Sequence, residues 1–272
     1  TGLKKFKASY PDRFFDVGIA EEHAIAFVSG IAKNGGKPVF ATHSSFFQRT
    51  YDQISQDLCV NGNSATLLVN TGSVYGMNDV THLGIYDIPM MSNIPNLVYL
   101  APTSCEEYFA MLDWSIEQDK YPVAVRIPCN GVIHTDKEID TDYSNLNKYK
   151  VTQNGKNIAV IALGDFYQIG EAVAKMIEEK TGAAPTLINP RYITGLDEEL
   201  LESLKKNHTK VITLEDGILD GGFGEKIARF YGPTDVKVYN YGLKKEFIDR
   251  YDVNEVLIRN RITPELICED VL

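Results

Sequence analysis

The chain has 272 residues and a net charge of −10, and hydrophobic residues make up 44% of it. That hydrophobic content allows a sizeable core and argues against wholesale disorder. The acidic balance argues against nucleic acid or an anionic membrane as a partner, and no apolar run approaches the ~20 residues that span a bilayer.

The cysteines and the chain start indicate the cellular setting. The four cysteines lie far apart and form no Cys-x-x-Cys pair, which is typical of reduced thiols in a cytoplasmic protein: Cys59, Cys105, Cys129 and Cys268. The run from Thr1 to Phe6 does not have the pattern of a signal peptide. We expect a processed chain, a fragment of a longer protein, or one subunit of an assembly.

Residues 14–127 alternate strand-like and helix-like segments, which predicts a parallel sheet with helices on both faces. Short apolar runs indicate strands at Phe14–Gly18, Pro38–Thr42, Ala65–Asn70, Leu97–Ala101 and Val123–Ile127. Helices are predicted near Glu21–Lys33, Ser44–Cys59 and Ser104–Glu117.

Polar turn-forming residues dominate residues 131–156, which predicts a linker with a short edge strand at Tyr149–Thr152. A second alternation follows. Its predicted strands are Asn157–Leu163, Ala184–Asn189, Lys210–Glu215 and Asp235–Asn240. Its predicted helices are Gln168–Lys180, Asp197–Lys206, Gly222–Tyr231, Lys244–Asp249 and Pro264–Val271. The fold class is therefore α/β, with two consecutive three-layer domains whose sheets are mainly parallel, at 1–130 and 157–272.

The most specific motif is the run Phe-Phe-Asp-Val-Gly-Ile-Ala-Glu-Glu-His-Ala at residues 14–24. It places an acid in the first turn of an apolar helix. The stretch from Pro11 to Ala24 resembles the pyrimidine-binding signature of thiamine-diphosphate enzymes, above all 1-deoxy-D-xylulose-5-phosphate synthases and transketolases. The resemblance implies the thiamine-diphosphate-binding fold, with a pyrimidine domain followed by a transketolase C-terminal domain.

Glu21 is the acid of this motif. The resemblance implies that its carboxyl group binds ring N1′ of the cofactor and favours the imino tautomer that removes the C2 proton. Such a carboxyl group needs apolar surroundings, and Val17, Ile19 and Ala24 are close in sequence. The resemblance also places Ile19 at the cofactor. From its position alone, Glu21 could instead complement the helix dipole. We expect Glu22 to point elsewhere.

A second cluster, His43–Gln53, follows a strand and opens a helix, where α/β sheets usually contact ligands. The family has an aromatic ring here that stacks on the pyrimidine, and Phe46 is at the matching position; core packing is the alternative. The resemblance places Arg49 near the cofactor and the substrate channel, although an arginine in a helix is usually a solvated charge. His43 stands where the synthases usually carry Tyr, and it could contact the cofactor or a substrate hydroxyl.

A third cluster is the loop Asn70–Gly84, which ends in Thr-His-x-Gly. In the family the histidine of this loop lies near the reacting atoms. His82 is therefore the candidate for proton transfer or for holding a substrate oxygen. The alternative is a loop histidine satisfied by backbone groups.

The chain also departs from the synthases. They carry arginines at Thr71 and Cys129 that bind the phosphate of glyceraldehyde 3-phosphate, and Asp at Asn78. Arg126 is retained, and we expect Arg126 and Asn78 among the substrate contacts. A charge-assisted hydrogen bond contributes ~1.5–3 kcal/mol, so losing two would weaken phosphate binding by several powers of ten. Either other residues bind the phosphate or the acceptor is a different sugar.

The Gly-Asp-Gly motif that holds Mg²⁺ and the diphosphate is absent from the sequence. Gly164-Asp165-Phe166 lies in the second domain and lacks the second glycine. We therefore expect no metal ligands in this chain, and we expect a separate subunit or domain to bind the diphosphate and Mg²⁺. The resemblance also places the first strand and helix of the pyrimidine domain before Thr1, so a partner should cover the open sheet edge.

These observations predict a thiamine-diphosphate-dependent transferase component that moves a carbanion unit from a 2-oxo acid or ketose to an aldehyde sugar. The catalytic candidates are Glu21, His82 and His43. The expected assembly is a homodimer or heterotetramer that includes the diphosphate-binding half. Alternatives are a split transketolase subunit, a β subunit of a 2-oxo-acid dehydrogenase, and a non-catalytic relative.

Overall fold

The computed structural model describes residues 3–127 and 133–272, and it shows two α/β units in succession. The strands of the first unit are Val39–His43 (β1), Thr66–Asn70 (β2), Val98–Leu100 (β3) and Val123–Ile127 (β4). They are all parallel, in the order β1-β2-β4-β3. The helices of this unit are Lys4–Ser9 (α1), Glu21–Lys33 (α2), Tyr51–Gln53 (α3), Asp87–Met91 (α4) and Cys105–Glu117 (α5).

The helix α3 lies inside a longer irregular run. It is preceded by a 3-10 segment, Ser44–Thr50, and followed by a π-helical segment, Ile54–Val60. Shorter 3-10 turns form at Pro11–Arg13 and Val80–His82. The register pairs His43 with Asn70, and Asn70 with Ile127. The carboxyl ends of β1 and β2 therefore meet at one edge of the sheet, where ligands commonly bind in such folds.

The second unit has a five-stranded sheet in the order β5-β7-β6-β8-β9, in which only β5 is antiparallel to its neighbour among the described strands. Its strands are Lys150–Gln153 (β5), Asn157–Ala162 (β6), Thr186–Asn189 (β7), His208–Ile218 (β8) and Lys237–Leu243 (β9). Its helical elements are the 3-10 turn Gly164–Phe166, then Tyr167–Thr181 (α6), Glu198–Leu204 (α7), Phe223–Tyr231 (α8), Val253–Arg259 (α9) and Pro264–Val271 (α10).

The two units share a continuous interface. The edge strand β3 is paired with Arg191–Ile193 of the second unit: Ala101 N donates to Arg191 O (2.8 Å) and Ile193 N donates to Tyr99 O (2.7 Å). Ile88 and Ile193 belong to the same buried hydrophobic cluster. Because backbone pairing and apolar burial act together here, the units pack as one body.

Most predicted elements are confirmed, including the edge strand near residue 150, but the strand at Phe14–Gly18 is wrong. The Asp16 carboxylate accepts a hydrogen bond from Gly18 N (3.0 Å), and Gly18 has a φ of 72°. This local turn prevents extended pairing. Phe15 is exposed, so its apolar character does not reflect burial in a sheet.

The predicted helix at Lys244–Asp249 is also wrong: the chain bends there, and Glu246 N donates to Lys244 O (2.9 Å) in a turn tighter than a helical one. The helix α9 forms a few residues later. Its cap is Asp252, whose carboxylate accepts from Glu255 N (3.1 Å). The Asp-x-x-Glu spacing of a capped helix start was visible in the sequence.

Within residues 3–127 and 133–272, every helix is too short or too polar to cross a membrane.

Candidate active site

Three aromatic side chains from separate elements meet at the carboxyl edge of the first sheet. His43 ends β1, Phe46 lies in the following 3-10 segment, and His82 ends the turn Val80–His82. The ring centroids are 5.6 Å apart for His43 and Phe46, 5.7 Å for His43 and His82, and 5.3 Å for Phe46 and His82. We call these three residues the ring cluster. All three are partly exposed, so a ligand can reach them.

Hydrogen bonding fixes the proton on the His43 ring. The Thr71 hydroxyl donates its single proton to Asn70 O (2.6 Å) and lies 3.2 Å from His43 Nδ1. Since that hydroxyl proton is already engaged, Thr71 accepts from His43 Nδ1–H, and Nε2 keeps a lone pair. Burial, followed by the proximity of His82, lowers the pKa of His43 and favours this neutral form.

His82 is oriented in a similar way. Its Nδ1 lies 2.9 Å from the Asp79 carboxylate and 2.9 Å from the Thr81 hydroxyl. Because a carboxylate only accepts hydrogen bonds, Nδ1 carries the proton and Nε2 again has a lone pair in the neutral ring. Hydrogen bonds from Thr81 and His82 lower the pKa of Asp79 to about 2, so this carboxylate is ionised at neutral pH.

Glu21 begins α2, which packs against the 3-10 segment Ser44–Thr50 that carries Phe46. Glu21 is 9% exposed, and its Oε2 is 3.5 Å from Arg49 Nη1. Arg49 Nε is also 3.3 Å from Glu22 Oε1, so the expectation that Glu22 points elsewhere is wrong. Both acids occupy the first turn of α2, and the long Arg49 side chain spans them. Arg49 is three residues after Phe46 on the same 3-10 segment, so this segment carries both a ring of the cluster and the cation that contacts the acid.

The backbone of the third loop is tightly constrained around Thr71. This residue has a φ of 58° and is buried. Its carbonyl accepts from Ser73 N at 3.0 Å. A Cβ on Gly84 would lie 1.8 Å from the Thr71 carbonyl oxygen, so the loop can close only around a glycine. The Thr-His-x-Gly end of the loop thus sets the position of Thr71, which in turn orients His43.

The remaining predicted site residues have other surroundings. Ile19 is 89% exposed. Asn78 faces the second unit, where its Nδ2 donates to Tyr251 O (3.4 Å) and its carbonyl accepts from Arg250 N (2.6 Å). Cys129 lies outside the described residues.

Arg126 is buried between the two units, with 3% of its side chain exposed. Its Nε donates to Asp87 Oδ2 (2.7 Å), Nη1 to Asp216, and Nη2 to Gly84 O (3.2 Å). Burial alone would lower the pKa of Arg126, but Asp216 and Asp87 outweigh it and raise that pKa. The expected substrate contact therefore does not fit this geometry, because each guanidinium nitrogen already donates to a protein group.

Sequence reasoning missed the two residues that orient the histidines. Asp79 precedes His82 by three residues, a spacing that brings side chains together across one helical turn, so this signal was available. Thr71 was noted only as a replacement for arginine. Its role depends on the contact between β1 and β2, which the linear sequence does not display.

Comparison with known protein families identifies both units of the chain. The transketolase pyrimidine-binding domain matches residues 1–131, and the transketolase C-terminal domain matches residues 147–267. The chain belongs to the transketolase family and contains both of these domains.

The similar curated relatives are 1-deoxy-D-xylulose-5-phosphate synthases. The chain is 36% identical to that of Clostridium perfringens strain SM101 over 92% of this chain and 40% of the relative. It is 38% identical to that of Clostridium botulinum strain Alaska E43, over 95% of this chain and 42% of the relative. The chain thus spans about two fifths of the length of the curated relatives it matches.

A solved structure has the same fold: a split-gene transketolase, captured as an inactive β4 tetramer. The two chains are 21% identical and superpose with a TM-score of 0.83 over 99% of this chain and 87% of the other.

Proposed function

We propose that this chain forms the pyrimidine-binding side of a thiamine-diphosphate-dependent transferase of the 1-deoxy-D-xylulose-5-phosphate synthase type. The carrying observation is that the rings of His43, Phe46 and His82 pack together at the carboxyl edge of the first sheet, and that Arg49, on the same 3-10 segment as Phe46, contacts Glu21. The residues come from four separate elements, and simple core packing would not need an acid and two histidines at an accessible edge.

The residues fit the aminopyrimidine part of the cofactor. Glu21 has a largely buried carboxyl group that contacts Arg49 at the long distance of 3.5 Å, so it retains capacity for another hydrogen bond. Phe46 offers a partly exposed ring for stacking. When bound, thiamine diphosphate supplies a thiazolium carbon that becomes a nucleophile after losing a proton. Glu21 would hold the pyrimidine in the tautomer that accepts this proton.

The two histidines would handle substrate oxygens. His43 and His82 each have Nδ1 engaged by the protein and Nε2 with a free lone pair, so each can accept a hydrogen bond from a substrate hydroxyl. His82, backed by the Asp79 carboxylate, is the better proton acceptor because the carboxylate stabilises the imidazolium that forms. His43, with its lowered pKa, stays neutral and positions the hydroxyl.

The diphosphate and Mg²⁺ would be bound by a partner domain or subunit. In the described residues the ring cluster contains no arrangement of oxygen ligands suited to Mg²⁺. We propose that the active assembly brings the diphosphate-binding half against the edge that carries Glu21. A homodimer or a heterotetramer would satisfy this requirement, and the proposed compartment is the cytoplasm.

A split transketolase subunit is the second candidate, and Thr71 is the specific observation that favours it. The Thr71 side chain is buried and hydrogen-bonded to Asn70 and His43, so it supplies no cation for an acceptor phosphate. Arg49, whose side chain is 48% exposed, is the cation that we propose for phosphate binding in either candidate.

The test is an activity assay of the assembled enzyme with thiamine diphosphate and Mg²⁺. Pyruvate with glyceraldehyde 3-phosphate is compared with ketose phosphate donors and aldose acceptors. Turnover from pyruvate supports the synthase assignment, and turnover from ketose donors alone supports the transketolase candidate. An assembly that binds the cofactor but transfers no carbon unit from either donor class contradicts both assignments and indicates a non-catalytic relative.

A further inference from the structure

A set of metal-binding side chains lies outside the ring cluster and shares no residue with it. Cys105 and Glu106 begin α5, and His134 belongs to the segment that leads into the second unit. One ligand atom from each of the three side chains lies within 4.8 Å of the other two. All three residues retain solvent access, so an ion could reach them.

Backbone hydrogen bonds hold the two parts of this set together. Cys105 N donates to Ile133 O (2.8 Å), and Thr135 N donates to Glu106 Oε2 (2.9 Å). The second oxygen of the same carboxylate, Oε1, lies 2.7 Å from His134 Nδ1. One oxygen of Glu106 is thus fixed by the backbone and the other is directed at the histidine, the arrangement in which outer hydrogen bonds orient a carboxylate ligand.

We propose that Cys105, Glu106 and His134 bind one Zn²⁺ ion. The donor set of one thiolate, one carboxylate and one imidazole suits Zn²⁺ better than Mg²⁺ or Ca²⁺, which require oxygen ligands. A tetrahedral zinc ion with bonds of about 2.0–2.3 Å holds its ligand atoms roughly 3.3–3.8 Å apart. The three ligand atoms lie within 4.8 Å of one another, and the His134 side chain, which is 71% exposed, is little confined by packing.

Binding would displace the direct hydrogen bond between Glu106 and His134 and release the Cys105 thiol proton to solvent. The thiolate would lie in the first turn of α5, where the helix dipole favours negative charge. Three protein ligands leave a fourth position for water. His134 also lines a cavity of about 110 Å³, which has room for such a water beside the ion. The ion would fasten the segment at 133–135 to the first unit.

The test uses the full chain without a polyhistidine tag, stripped of metal and then titrated with Zn²⁺ or Co²⁺. We expect one ion per chain, and a thiolate-to-cobalt charge-transfer absorption with Co²⁺. Cys105→Ser should abolish that absorption. Loss of an outer-shell hydrogen-bond partner weakens metal binding by about 10- to 100-fold. We expect a larger loss of Zn²⁺ affinity in each of three variants: Cys105→Ser, His134→Ala and Glu106→Gln.

His23→Ala is the matched control, because His23 is an exposed histidine on α2 whose ring stacks on Phe27. Its removal should leave zinc affinity unchanged. Zinc should also raise the melting temperature of the wild-type chain, since a ligand that binds only the folded state stabilises it. Stoichiometric binding that survives all three variants, or a cobalt complex without thiolate absorption, would overturn the proposal. The proposed transferase function would be untouched by that result.

Discussion

The two histidines of the ring cluster acquire the same protonation pattern from different partners. His43 donates Nδ1–H to a hydroxyl whose own proton is engaged, and His82 donates Nδ1–H to an ionised carboxylate. The difference in partner charge separates their chemistry. His82 faces an ionised carboxylate, whereas burial and the neighbouring ring lower the pKa of His43 and disfavour its protonation.

The titration of His43 tests this assignment. Because burial and His82 both disfavour the charged ring, the pKa of His43 lies below its usual value of 6.5 and the residue is neutral at pH 7. In His82→Gln one of these two causes is removed, so we expect the midpoint of His43 to rise towards 6.5. The measurement is an NMR titration of the ring proton signals. A midpoint that stays fixed, or falls, would show that the two rings are not coupled.

At the residue scale, the sequence predicted the candidate site residues better than their hydrogen-bond partners. Glu21, Phe46 and His82 lie in local motifs, so their elements and neighbours could be anticipated. The ion pair of Arg126 could not be anticipated. Its partner Asp216 lies ninety positions along the chain, and the local motif does not reveal that the two meet in the interface. The catalytic and binding roles of Glu21, Phe46 and His82 stay predictions.

At the scale of elements, the third loop is shaped by the close approach of Gly84 to Thr71. The loop carries His82, and its residue Thr71 orients His43. A displacement of this loop would therefore disturb both histidines together.

Gly84→Ala should lower transfer activity strongly. The new methyl group would meet the Thr71 carbonyl at 1.8 Å and the Ser44 hydroxyl at 2.8 Å, so the loop must shift. A misplacement of about 1 Å at a catalytic group can reduce the rate by about 10²-fold. The measurement is the steady-state rate of the assembled enzyme, with circular dichroism to verify folding.

Gly30→Ala is the matched control. Gly30 lies in α2 with open space around the added methyl group. Replacing a helix-interior glycine by alanine stabilises by about 0.5–1 kcal/mol, so this variant should unfold at higher denaturant concentration and keep its activity. Equal activity in both glycine variants would contradict the role assigned to the loop closure.

The strands and most helices were predictable from apolar periodicity and caps, whereas two segments were not. Residues 14–18 are apolar without being a strand, because their side chains lie at the surface and Gly18 turns the backbone. Residues 244–249 have helix-forming composition, but Glu246 N bonds to Lys244 O in a three-residue turn. In both cases a specific hydrogen bond outweighs the local pattern.

For the whole molecule, a buried charge network connects the two units. Arg126 from β4 contacts Asp87 from α4 and Asp216 from β8, and the Tyr99 hydroxyl donates to Asp87. All of these groups are buried. Removing the cation would leave two carboxylates without their charge partner in the interface.

Arg126→Ala should therefore lower the free energy of unfolding by about 3–5 kcal/mol, as expected when one partner of a buried ion pair is removed. Arg49→Ala is the comparison, because Arg49 also contacts two carboxylates but half of its side chain is exposed. Its loss should cost at most about 1 kcal/mol of stability. Denaturant unfolding of both variants measures the difference, and a smaller loss for Arg126→Ala would refute the interface role.

The two-domain organisation was predictable from the change of composition near residue 131, and the family matches at 1–131 and 147–267 agree with two units. The exact boundaries at 130 and 157 stay a prediction. The packing between units was not predictable, because the pairing of β3 with Arg191–Ile193 joins segments far apart in sequence.

The central claim is that Glu21 activates the cofactor, and the most direct test is the rate of hydrogen–deuterium exchange at C2 of thiamine diphosphate bound to the assembled enzyme. We expect Glu21→Gln to slow this exchange by about 10²-fold or more, the usual contribution of a positioned acid or base. Glu22 is the adjacent and more exposed acid. In the Glu22→Gln variant, the C2 proton should exchange at nearly the wild-type rate. Wild-type exchange in Glu21→Gln would contradict the account.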